Sequence, residues 1–127
     1  MSGARILIID DSEDDVLLAA AQIRRTLRDA RFCRVDNAVQ LRAALAHAQW
    51  DIVLCDHNMP AFDSTAALGV VRMTCPQLPF YVYSGEFSRA QSAAVLQAGA
   101  QGVLEKRDSA GLTRVITSAT ACEGTAS

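Results

Sequence analysis

The sequence predicts a doubly wound α/β domain, a five-stranded parallel sheet with helices on both faces. Two observations predict it. Five short apolar runs recur along the chain, Arg5 to Ile9, Phe32 to Val35, Ile52 to Cys55, Phe80 to Tyr83 and Gly102 to Leu104. Most of their residues are β-branched or aromatic, and none of the runs alternates cleanly with polar residues, as expected of strands buried on both faces. The segments between them carry helical period, so the order is strand then helix, five times, with connections short enough for right-handed crossovers.

The first strand, Arg5 to Ile9, leads through Ser12 into a helix marked by Val16, Ala20, Ile23 and Leu27. A serine there has the short oxygen-bearing side chain that caps a helix start. The second strand ends at Asp36-Asn37, and Asn37 with Gln40 opens a helix carrying Leu41, Leu45 and Ala48. After the third strand, Asp63 or Ser64 caps the next helix. After the fourth, Ser88 and Gln91 have capping-box spacing, and Gly99 is placed to end that helix in a left-handed turn. The last helix shows Leu112, Val115, Ile116 and Ala119, and residues 123–127 read as a frayed tail beyond a domain spanning residues 1–122.

Length and composition bound the class. At 127 residues with half of them apolar, the chain suits one domain with its own core. No apolar stretch approaches the roughly 20 residues that cross a bilayer. Met1-Ser2-Gly3-Ala4 lacks the pattern of a secretory signal, so a cytoplasmic location with no membrane partner is expected. Cys33, Cys55, Cys75 and Cys122 are scattered, without the paired spacing of zinc or redox sites, and read as small buried hydrophobes. Arg24, Arg25, Arg28, Arg31 and Arg34 cluster, but a net charge of -2 argues against a dedicated nucleic-acid surface.

In a sheet of this kind ligands bind beyond the carboxyl ends of the strands. Asp10 and Asp11 follow the first strand, Asp56 the third, Ser84 the fourth and Lys106 the fifth. Lys106 is the single lysine in a chain with eleven arginines, which points to a need for a compact point charge, as at a phosphate. Carboxylates converging on one rim repel unless a cation sits among them, and magnesium suits an all-oxygen donor set. His57 beside Asp56 reads as a turn residue before a catalytic base.

From Ile6-Leu7-Ile8-Ile9-Asp10-Asp11 through Ile52-Val53-Leu54-Cys55-Asp56-His57-Asn58-Met59-Pro60 and Tyr83-Ser84-Gly85 to Leu104-Glu105-Lys106, the chain resembles a response-regulator receiver domain, with its flavodoxin-like (βα)5 fold. The resemblance covers nearly the whole chain. It implies that Asp56 is the phosphoacceptor. Asp11, Asp56 and the backbone carbonyl of Asn58 would bind magnesium, and Asp10 would help mostly through water. Ser84 becomes the switch hydroxyl on the phosphoryl group and Lys106 its cationic partner. The implied donor is a histidine kinase or histidine phosphotransferase, the implied product a phosphoprotein that engages an output protein, and a homodimer is allowed. No output domain follows the last helix in this sequence, so a response made through protein contact is expected.

Several positions depart from the family pattern. Val103 stands where the family has an aromatic three before the lysine, Arg107 where a proline is common, and Ser64 where a glycine precedes the third helix. Tyr81 and Tyr83 on the fourth strand read first as core residues, with partial substitution for the missing aromatic by one of them as the alternative, and Asn58 and Glu86 occupy positions thought to tune phosphoryl lifetime. Glu13, Asp14 and Asp15 fall beside the pocket, but acids are ordinary in a first helical turn and these are given no catalytic role. A degenerate receiver acting as a phosphorylation-independent scaffold is the alternative. A haloacid-dehalogenase-type phosphatase is disfavoured by Asn58 in place of the second acid, and a flavin domain by acids where phosphate would sit.

Overall fold

The computed structural model describes residues 3–57, 59, 62–85 and 88–126, with side chains to residue 120. Five strands alternate with five helices: β1 Arg5–Ile9, α1 Glu13–Arg24, β2 Arg31–Val35, α2 Ala38–His47, β3 Ile52–Asp56, α3 Ser64–Thr74, β4 Phe80–Ser84, α4 Arg89–Ala98, β5 Gly102–Glu105 and α5 Ser109–Ala126. All strands are parallel, in the order β2-β1-β3-β4-β5. The strand order reverses between β1 and β3, so the crevice at their carboxyl ends is the natural ligand position.

Side-chain parity along the strands divides the core into two layers. Leu7, Ile9, Val53, Cys55, Phe80 and Val82 meet Leu41, Leu45, Leu68, Val71 and Val95 from α2, α3 and α4. On the other face Ile6, Ile8, Ile52, Leu54 and Tyr83 meet Val16, Ile23, Leu112 and Ile116 from α1 and α5. Every residue of β3 is buried, whereas the edge strands β2 and β5 are half-exposed over much of their length. The expectation of strands buried on both faces therefore holds for β1, β3 and β4.

The caps follow the sequence. Ser12, Asn37 and Ser88 accept from Asp15, Gln40 and Gln91 backbone amides, and Gln91 answers Ser88 in a full capping box. Of the two candidates for α3, Asp63 is the cap, accepting from Ala66 N at 2.8 Å, while Ser64 is the first helical residue. Asp108 caps α5 by accepting from Gly111 N at 2.9 Å. Such caps are worth about 1 kcal/mol each. Gly99 closes α4 at φ 117°, a left-handed conformation that only glycine adopts cheaply.

Two expected helical residues fall outside their helices. α1 ends at Arg24, and Leu27 sits in the following turn while still packing on the α1/α5 layer. Ala48 is the extended cap of α2. α5 continues through residues 123–126, the stretch the sequence assigns to a tail. Arg72 of α3 ties the lower loops together, donating to Leu78 O at 2.7 Å, Gly99 O at 3.1 Å and Gln101 Oε1 at 3.0 Å. A planar fork can serve three acceptors at once; an ammonium on a flexible stem cannot do so in that geometry.

Candidate functional site

The parity that builds the α1/α5 layer also builds the site. Asp10 continues the Ile6/Ile8 series one residue past β1, Asp56 ends the Ile52/Leu54 series on β3, Tyr83 belongs to the same face of β4, and Lys106 follows Leu104 past β5. At the carboxyl ends these positions give way from apolar to ionic. Oxygen atoms of Asp10, Asp11 and Asp56 all lie within 4.8 Å of one another. Asp10 is 0% exposed and Asp56 3%, while Asp11 faces solvent.

Lys106 reaches into this group. Its Nζ lies 3.0 Å from Asp10 Oδ2, 2.7 Å from Asp15 Oδ2 and 3.4 Å from Asp56 Oδ2. Burial alone would lower its pKa, but the hydrogen bonds it donates to Asp15 and Asp10 and the charges of Asp10 and Asp56 outweigh burial, holding it above the ordinary 10.5. One ammonium against four carboxylates leaves a negative rim. Oxygen donors so close together, two of them buried, fit a hard divalent ion such as magnesium, which needs only one or two carboxylates and keeps several waters. When bound, such an ion would neutralise the oxygens of an incoming phosphoryl group. The expected Asn58 contribution lies outside the described residues, as does Glu86.

The backbone supports this arrangement. The last two carbonyls of β4 are used on opposite sides: Tyr83 O accepts from His57 N at 3.2 Å, and Ser84 O accepts from Lys106 N at 2.8 Å. Asp10 N donates to Val35 O at 3.0 Å, and Ser12 N donates to Asp10 Oδ1 at 2.9 Å. Ser84 is fully buried at the end of β4, its side chain on the opposite parity from Tyr83. The Nδ1 of His57 lies 3.1 Å from Ser64 Oγ, as befits a residue that closes the turn into α3. Burial, with the charges of Asp56, Asp10 and Asp63, pushes the Cys55 thiol up, so it stays an inert core group.

Two residues make contacts in the site that the sequence reading does not give them. Asp15, one of three acids in the first turn of α1, makes the shortest ion pair with Lys106. Tyr83 is a core residue as expected, but its hydroxyl donates to Asp10 Oδ2 at 2.5 Å and Lys106 Nζ lies 5.0 Å from its ring centroid. The signal available in the sequence was strand parity, which puts Tyr83 on the face of Asp10 and Asp56. Val103 is half-buried against the α2/α3/α4 layer, on the other face.

Comparison with known proteins shows the family and the fold. A family model described as the response regulator receiver domain matches residues 6–117. The transcriptional regulatory protein PrrA of Mycobacterium tuberculosis is 33% identical over 109 residues, covering 84% of this chain and 45% of PrrA. The chain thus spans less than half the length of that curated relative. A CheY-like receiver domain protein of Methanospirillum hungatei superposes with a TM-score of 0.81 at 20% identity, covering 99% of this chain and 100% of its own. The receiver domain of the sensor histidine kinase PA1611 of Pseudomonas aeruginosa, solved with magnesium in its active site cleft, has a TM-score of 0.76 at 22% identity, covering 91% and 95%.

Proposed function

The chain belongs to the response-regulator receiver family, and from that premise we propose that it is a signalling switch that accepts a phosphoryl group on Asp56 in a magnesium-dependent reaction. The donor is a phosphohistidine on a histidine kinase or histidine phosphotransferase. A carboxylate oxygen of Asp56 forms the bond to phosphorus as the phosphorus–nitrogen bond breaks, and the departing imidazole takes a proton. The observation that carries this reading is the placement of Lys106 Nζ 3.4 Å from Asp56 Oδ2, inside a group of three carboxylates whose oxygens lie within 4.8 Å.

Phosphoryl transfer of this kind needs in-line positioning and charge neutralisation more than covalent work from the protein. Asp10, Asp11 and Asp56 would hold the cation, joined by the Asn58 carbonyl that the family resemblance implies, and Lys106 supplies a second positive charge. The product replaces one negative charge with about two. Lys106 then turns from the carboxylates to the phosphoryl oxygens, and the Ser84 hydroxyl donates to them. Because Lys106 N is bonded to Ser84 O, these responses share one piece of backbone. The change passes to the α4 and β5 face, where an output protein is engaged. Among the described residues no helix is long and apolar enough to cross a membrane.

Intact mass measurement after incubation with acetyl phosphate and magnesium tests the reading. Wild-type protein gains one phosphoryl group and Asp56→Asn gains none. A wild type that stays unmodified, or an Asp56→Asn variant modified equally, sinks the assignment, and the first result would leave the scaffold alternative standing.

A further inference from the structure

Tyr83 is fully buried in the α1/α5 layer, among residues that a phenylalanine would satisfy as well. Its hydroxyl is therefore not explained by packing. A buried hydroxyl costs free energy unless it is bonded, and here the partner is a carboxylate at 2.5 Å, in the range of the strong charge-assisted bonds.

Among the described residues, three donors reach the Asp10 carboxylate. Oδ2 accepts from the Tyr83 hydroxyl and from Lys106 Nζ, and Oδ1 accepts from Ser12 N. A carboxylate offers about four acceptor directions, so one remains, on Oδ1. We infer that Tyr83 is a positioning residue for the carboxylate site: its phenol locks Asp10 in one rotamer and restricts it to a single further contact, leaving Asp11 and Asp56 to provide the main grip on the cation. This rests on the reading that these carboxylates hold magnesium. It also gives β4 a side-chain link to the site that is separate from Ser84, since Tyr83 and Ser84 are consecutive and point to opposite faces.

The test compares Tyr83→Phe with Tyr81→Phe, which removes a phenol from the same strand and layer away from the carboxylates. Magnesium affinity is measured by calorimetry, and the Ser12 amide is followed by NMR in metal-free protein. Loss of an outer hydrogen bond to a metal-site group typically costs tenfold or more, so Tyr83→Phe should bind magnesium about tenfold more weakly, with a displaced Ser12 amide. Tyr81→Phe should match wild type in both. On an Asp10→Asn background, Tyr83→Phe should have no further effect, because its action runs through Asp10.

The inference is overturned if Tyr83→Phe binds magnesium as well as wild type or better, if Ser12 does not move, or if the effect persists without the Asp10 carboxylate. Absence of saturable magnesium binding by wild-type protein would instead remove the underlying reading of the site, and this inference with it. Tyr83→Phe keeps the ring, so its fold should survive the loss of one bond. Should it not, Asp10→Asn alone still gives a measure: the Tyr83 and Lys106 signals must shift in metal-free protein, and unshifted signals would count against the link.

Discussion

Replacing Asp15 with asparagine tests how Lys106 divides its charge. Before phosphorylation the ammonium is held by Asp15 at 2.7 Å, closer than by Asp10 or Asp56. If the phosphoryl state draws Lys106 away, the Asp15 contact must be given up, and its strength opposes the switch. The Asp15 side chain is 42% exposed and that of Lys106 18%, so solvent screens the pair heavily and it ranks among exposed pairs, worth about 0.2–1 kcal/mol. The short distance and the half-buried lysine argue for the upper end, about 1 kcal/mol, or roughly fivefold in an equilibrium. Asparagine keeps the size of the side chain, and the Asp15 backbone amide still donates to Ser12. At saturating magnesium and limiting acetyl phosphate, the ratio of phosphorylated to free chain by intact mass should rise about fivefold over wild type. Hydrolysis after donor removal, followed in parallel, assigns the change to formation or to loss. An unchanged or lower ratio would refute the idea that Asp15 competes with the phosphoryl group, and would make it a residue that pre-orients Lys106.

Other outcomes follow from the same structure. Because Lys106 is held above 10.5 in the folded state, its contribution to stability is complete below 10.5 and is lost as pH rises through the folded value. The gap in thermal stability between wild type and Lys106→Met should therefore narrow through alkaline pH, with Tyr83 adding a loss of the same sign in both proteins; a gap that is constant with pH counts against the ion contacts. Arg72→Lys leaves at least one of three acceptors around Leu78, Gly99 and Gln101 without its donor. It should cost about 1 kcal/mol, or about 4 °C in Tm, and an unchanged melting curve would show that water replaces the fork without penalty.

How much was legible in the sequence depends on the range of the interaction. Ser88, Gln91 and Gly99 declare the ends of α4 because capping is local, decided within a turn of chain. Asp10, Asp11, Asp56 and Lys106 could be brought together from sequence because a parallel sheet places the carboxyl ends of its strands on one rim, so knowing where strands end suffices. Tyr83 and Asp15 were harder for different reasons. Tyr83 reaches Asp10 across 73 residues of sequence, and an aromatic at the end of a strand is fully accounted for by core packing until its hydroxyl is located. Asp15 has a local explanation, since acids favour the start of a helix, and only the placement of α1 shows which of Glu13, Asp14 and Asp15 meets the lysine. The half-exposure of β2 and β5 was likewise invisible, because a strand's apolar content does not say whether it lies at an edge.

The two carbonyls at the end of β4 give the site a common anchor. His57, next to the proposed acceptor, hangs from Tyr83, and Lys106 hangs from Ser84, so the loops on either side of the crevice are fastened to adjacent peptide units of one strand. A loop that peels away loads one of two adjoining peptides, and through it the other. The amide protons of His57 and Lys106 should therefore exchange with solvent as a linked pair, and their protection would report the mechanical state of the switch without any label on the phosphoryl group.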